Sequence, residues 1–140
     1  MTQQAFPANL VIRMRNTFKK EERLCSKSDI DALFHSSSSF VVYPYRVVYT
    51  YLPADIAAAK VIISVSKRKF KKAHDRNRIK RLMREAYRLQ KGDLLYPFIQ
   101  EKVLNLHFAI QYIAKEELPF KVMEEKMIKM LNQLKEICCA

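Results

Sequence analysis

The chain has 140 residues, with 26 Lys and Arg against 14 Asp and Glu and a net charge of +12. Its 49% apolar content suits one folded domain and excludes a disordered polyelectrolyte. No apolar run reaches the ~18 residues of a membrane-spanning helix, a single glycine excludes collagen-like repeats, and three cysteines, two of them adjacent at 138 and 139, build no disulfide framework.

Residues 1–17 show no period and are interrupted by Pro7. They lack the basic-then-apolar pattern of a secretory signal and are expected to be a flexible arm ahead of a single domain over 18–140. The first helix is predicted from Ser28 to His35, with Ser26 and Ser28 as capping candidates and Ile30, Leu33 and Phe34 on its apolar side. Phe40 to Leu52 is rich in Val and Tyr and reads as strand, broken or edged at Pro44. Alternation puts Tyr45 and Tyr49 on the side opposite Val48. After the turn signal Pro53-Ala54-Asp55, Lys60 to Ser66 reads as a second strand. The short connection predicts antiparallel pairing of the two. A basic loop leads into a helix from Asp75 to Lys91, and Gly92 is expected as its left-handed C-cap. Leu95 to Val103 has no decisive pattern. Leu104 to Ala114 reads as strand, and Pro119 opens a last helix to Ile137. On that helix Val122, Met123, Met127, Met130, Leu131 and Leu134 form a core stripe.

Residues 67–91 concentrate the charge. They hold Lys67, Arg68, Lys69, Lys71, Lys72, Arg76, Arg78, Lys80, Arg81, Arg84, Arg88 and Lys91 against Asp75 and Glu85 alone. At 100° per residue Ile79, Leu82, Met83 and Ala86 share one side of the helix. Asn77, Lys80, Arg81, Arg84 and Arg88 share the other. Like charges four apart weaken a helix by a few tenths of a kcal/mol each, so a ridge that keeps them is expected to serve an external anion. Guanidinium forks suit phosphate oxygens. An anionic polymer is therefore the expected partner, and no membrane.

No catalytic centre or metal site is predicted in the protein. Asp29 and Asp31 face different ways on a helix, and Asp55, Asp75 and Asp93 are scattered. His35, His74 and His107 form no pair at ligand or acid–base spacing.

The stretch from Ser64 to Arg88 resembles the signature of the bacterial ribonuclease P protein subunit family. Arg76-Asn77-Arg78-Ile79-Lys80-Arg81, with Arg84, Glu85 and Arg88, is similar to its Arg-Asn-Arg helix, and Ser66-Lys67-Arg68 to its strand end. Glu22-Arg23-Leu24, Asp29 to Phe34, and Val47-Val48-Tyr49-Thr50 follow the family's order upstream. Where the family often has a glycine in the loop before that helix, this chain has Lys71 or Lys72, and residues 93–103 have no clear counterpart.

The resemblance implies an α+β fold: a small mixed β-sheet packed with helices, αβββαβα-like, with a left-handed βαβ crossover. It implies a cytoplasmic ribonucleoprotein subunit. Its partners would be the catalytic ribonuclease P RNA and precursor tRNA, with no obligate protein partner. The complex would remove 5′ leaders from precursor tRNA, with RNA as the catalyst. The protein would bind no cofactor, and Mg²⁺ would serve the holoenzyme. The basic loop and helix, from Lys67 to Arg88, would contact the catalytic RNA. Arg23, Ile30, Phe34 and Tyr49 would line a cleft for the leader. The alternative is a general or ribosomal-type RNA-binding protein without a processing role.

Overall fold

The Val- and Tyr-rich run after Ser38 cannot remain one ladder strand, because Pro44 has no amide hydrogen to give. In a computed structural model of the chain, which describes residues 20–36 and 38–139, the run folds back at Tyr43-Pro44. It becomes a hairpin of β1 (Ser39–Val42) and β2 (Tyr45–Pro53). The arm expected over residues 1–17 lies outside the described residues. A 3₁₀ turn (Lys20–Glu22) and helix α1 (Lys27–Ser36) precede the hairpin. After it come β3 (Ala58–Val65), helix α2 (Ala73–Leu94), short helix α3 (Tyr96–Lys102), β4 (Leu104–Tyr112) and helix α4 (Phe120–Cys138). The α+β class with a mixed sheet is as expected; α3, in the stretch without a decisive pattern, is additional.

The strands lie in the order β1-β2-β4-β3. This corrects the expected antiparallel pairing of the second strand with its predecessor. β4 inserts between them, antiparallel to β2 and parallel to β3. The reason is burial. Phe108, Ala109 and Ile110 of β4 are each fully buried, so the middle of β4 is covered on both faces and belongs inside the sheet. The parallel β3–β4 pair needs a helical crossover, which α2 and α3 provide.

Helices α2, α3 and α4 cover one face. There Tyr45 and Val47, Val61 and Val65, and Phe108, Ile110 and Tyr112 meet Ile79, Met83 and Tyr87 of α2, Phe98 and Ile99 of α3, and the Met123-to-Leu134 stripe of α4. The buried Tyr45 hydroxyl donates to the Met123 carbonyl at 2.9 Å. Among the described residues the other face carries one helix, α1, through a smaller cluster of Leu24, Leu33, Val48 and Ala109, with Ile30 and Ile62 packed against it.

Gly92 is not a C-cap. Helix α2 runs through it to Leu94, and no glycine has positive φ among the described residues. The left-handed position is Val103, with φ 51° and ψ 66°, which ends α3. Its carbonyl accepts the Ala54 amide at 3.0 Å. The local preference of glycine is overridden by Lys91, its neighbour. Lys91 is fully buried and ion-paired with Glu22, which also accepts from the Tyr96 hydroxyl. The ammonium lies 6.0 and 5.6 Å from the ring centroids of Tyr87 and Tyr96. Lys91 thus leaves the basic surface and fastens the 3₁₀ turn to the end of α2.

Removing one member of a buried pair strands the other charge, at a cost of about 3–5 kcal/mol. Lys91→Met alone is expected to lower the urea midpoint strongly. Lys91→Met with Glu22→Leu is expected to recover much of the loss, and equal midpoints for the two variants would refute the pairing.

Candidate nucleic-acid interface

Helix α2 presents the two faces its period dictates. Ile79, Met83, Ala86 and Tyr87 are buried, and Leu82 packs partly against the core. Asn77, Arg81 and Arg84 are exposed, and Lys80 is half-exposed. The cations divide into two kinds. Arg78 donates from Nε to Glu117 Oε1 at 2.7 Å, from Nη2 to Glu117 Oε2 at 2.5 Å and to Asp75 at 2.9 Å. This ties the start of α2 to the segment before α4. The fork raises the Arg78 pKa and holds the Glu117 carboxyl below the usual range. Arg88 grips Glu85 one turn back, at 3.0 and 2.5 Å. By contrast, no ion pair among the described residues engages Lys80, Arg81 or Arg84.

The basic loop is fastened from inside. Phe70, its only apolar residue, is buried against Tyr112 with ring centroids 6.0 Å apart. Arg76 Nη1 donates to the carbonyls of Phe70 (2.8 Å) and Lys71 (3.0 Å). The Arg68 amide donates to Ser66 Oγ at 3.1 Å, and Lys69 Nζ to the Ile113 carbonyl. These bonds leave the side chains of Lys67, Arg68, Lys71 and Lys72 exposed around the anchor. Arg76, Arg78 and Arg88, expected as phosphate ligands, thus also hold the protein's own backbone and carboxylates. Sequence reasoning missed Phe70, although an aromatic alone among lysines marks an anchor. It also missed Glu117, whose pairing across 39 residues has no local signal.

The expected cleft is only partly assembled. Ile30 packs in the α1 cluster, and Phe34, on the same helix, is 42% exposed. Tyr49 lies on the opposite face, packed on the larger core and stacked with Tyr51 at 6.3 Å. Strand alternation compels this: Val48 meets Leu33, so its neighbour turns away. The α1 face instead carries two polar cross-strand rows, Arg46–Gln111–Ser64 and Thr50–His107–Lys60. Arg46 Nη1 donates to Gln111 Oε1 at 2.9 Å. Burial lowers the His107 pKa, an effect that nearby Asp29 opposes and Lys60 reinforces. Arg23 is exposed at the sheet edge, where it bridges β3 at Val61. Among the described residues no three His, Cys, Asp or Glu side chains gather closely enough to hold a metal ion.

The family model for Ribonuclease P matches residues 18–135. The chain is 40% identical over 117 residues to a protein of Porphyromonas gingivalis named Ribonuclease P protein component, covering 82% of this chain and 84% of that one. It is 29% identical over 130 residues to a protein of the same name from Chlorobium phaeobacteroides, covering 86% and 89%. Among solved structures, the Staphylococcus aureus RNase P protein superposes with a TM-score of 0.60 at 20% identity, over 83% of this chain and 97% of that one. The Thermotoga maritima protein gives 0.59 at 23%, over 80% and 96%.

The two kinds of arginine should separate by experiment. Arg81→Ala is expected to weaken binding to structured RNA and to reduce the slope of log K against log salt by about 0.7–0.9, with the melting temperature unchanged. Arg78→Ala is expected to lower the melting temperature. Identical behaviour of the two variants, in filter binding and thermal melts, would count against the division.

Proposed function

The chain belongs to the ribonuclease P protein family, and from that premise we propose that it is the protein subunit of a ribonucleoprotein that trims the 5′ leaders of precursor tRNA. The catalyst in this reading is the RNA, with Mg²⁺ serving the holoenzyme at sites made chiefly by nucleic acid. The observation that carries the reading is the row Lys80, Arg81 and Arg84, outward on α2 and without ion pairs among the described residues. Beside it stand the exposed cations of the anchored loop, Lys67, Arg68, Lys71 and Lys72. Phosphates placed on this surface release counterions and lower the repulsion within the RNA. Asn77, exposed at the same end, adds a neutral donor and acceptor.

The leader of the precursor lies, in this reading, across the α1 face. Phe34 offers an exposed ring for stacking, and Arg46, Lys60 and Arg23 surround that face with positive charge. His107, with its pKa lowered by burial, gives a neutral donor and acceptor near pH 7. Tyr49 has no part in this surface, since it packs behind the sheet. The two grips lie on adjoining surfaces: one holds the catalytic RNA and the other adds affinity for substrates that carry a leader.

Reconstitution tests this reading. Added to the catalytic RNA at low Mg²⁺, the protein is expected to restore 5′ processing and to favour precursor over leaderless tRNA. Stacking on an exposed aromatic is worth about 1–3 kcal/mol per base. Phe34→Ala is thus expected to weaken leader-containing substrate by roughly tenfold while sparing leaderless tRNA and the catalytic RNA. Equal affinity for both substrates in the wild-type complex would leave a general RNA-binding protein instead.

A further inference from the structure

Among the described residues, the outer edge of β3 is paired at a single residue. Arg23 forms a single parallel bridge with Val61, in which the Leu24 amide donates to the Val61 carbonyl at 2.9 Å. Beyond that bridge no strand among the described residues extends the edge. In its place is an open cavity of about 170 Å³, lined by Arg23, Leu24, Cys25, Val61, Ile62, Ile63 and Arg84. Two arginines from distant parts of the chain thus border one concavity. Arg23 comes from the segment before α1, and Arg84 from the middle of α2.

Ile63 stands two residues from Val61, so its backbone groups point to the same side of the strand, the side that received the Leu24 amide. The concavity therefore sets two arginine residues beside a strand-edge amide, and no Asp or Glu lines it. Arginine side chains and a backbone N–H are donors suited to a tetrahedral oxyanion. Arg84 makes no ion pair among the described residues. An arginine has five N–H donors, so Arg23 can serve a ligand beside its other contacts.

We propose that this cavity is a phosphate site, in which Arg23 and Arg84 together clamp one internucleotide phosphate of bound RNA. The site lies at the seam between the α2 ridge and the α1 face. It rests on the reading of the protein as an RNA-binding subunit and deepens it: two surfaces assigned to different RNA segments share a single backbone phosphate at their junction.

Two measurements on the full-length protein test the clamp. The first needs no RNA. Cys25 is exposed on the cavity wall, whereas Cys138 is buried and Cys139 half-buried at the far end of α4. Inorganic phosphate is expected to slow alkylation of Cys25 relative to Cys139, read by peptide mass mapping, when chloride at equal ionic strength does not. The protection should vanish in Arg84→Ala and in Arg23→Ala. The Arg23 bridge is made by its backbone, so the edge of β3 should survive that change.

The second measurement is a double-substitution cycle on affinity for the catalytic RNA. Each single change is expected to cost about tenfold, and the pair little more than either alone, because the second arginine loses its partner anion with the first. Losses that multiply to about a hundredfold, or Cys25 alkylation indifferent to phosphate, would overturn the shared site. If the wild-type protein fails to bind the RNA, the broader reading falls, while the phosphate measurement still decides the clamp.

Discussion

The buried ion pair of Lys91 and Glu22 orders most of what lies around it. It joins the end of α2 to the 3₁₀ turn far upstream, and the Tyr96 hydroxyl on the same carboxylate brings in the start of α3. A buried charge is costly unless its counter-charge is held in place, so this cluster admits few arrangements. Three consequences follow. Helix α2 continues past its glycine, the segment after Glu22 is delivered to the edge of β3, and α1 is aimed at the face of the sheet that the other helices leave open.

Given that frame, the charge on α2 is not one uniform ridge. Some arginines serve the protein itself: Arg76 folds the loop, Arg78 joins two elements and Arg88 closes a turn. Lys80, Arg81 and Arg84 face outward without such duties among the described residues. A fixed inner set of cations positions an open outer set, and the outer set is where a polyanion gains most. Moving an anion onto an arginine already bound to a carboxylate requires that carboxylate to be displaced, whereas an unpaired one has only water to lose.

Much of this was legible in the sequence. The two faces of α2 follow from a 3.6-residue period, and the methionine stripe of α4 from the same rule. The side taken by Tyr49 follows from strand alternation. What alternation cannot supply is the face on which α1 lands, and this is why a cleft joining Ile30 to Tyr49 was expected and not found. Strand order was equally hidden, because β4 enters the middle of the sheet only through contacts made by the whole chain. Lys91 reads as one more surface cation until its distant carboxylate is in view. The charge pattern of the helix therefore points to a kind of partner, while the allotment of individual arginines awaited the fold.

The aromatic ring of Phe70 beneath the lysine-rich loop has a further effect, on the entropy of association. A loop of this composition would by itself sample many shapes, and fixing it on contact would cost about 1–2 kcal/mol for each residue ordered. Here the shape is already held by a buried ring and the two carbonyl bonds from Arg76. The lysines around it arrive pre-arranged, with little more than their own rotamers left to freeze. Attraction between opposite charges can then appear as tighter association instead of being absorbed in stilling the backbone.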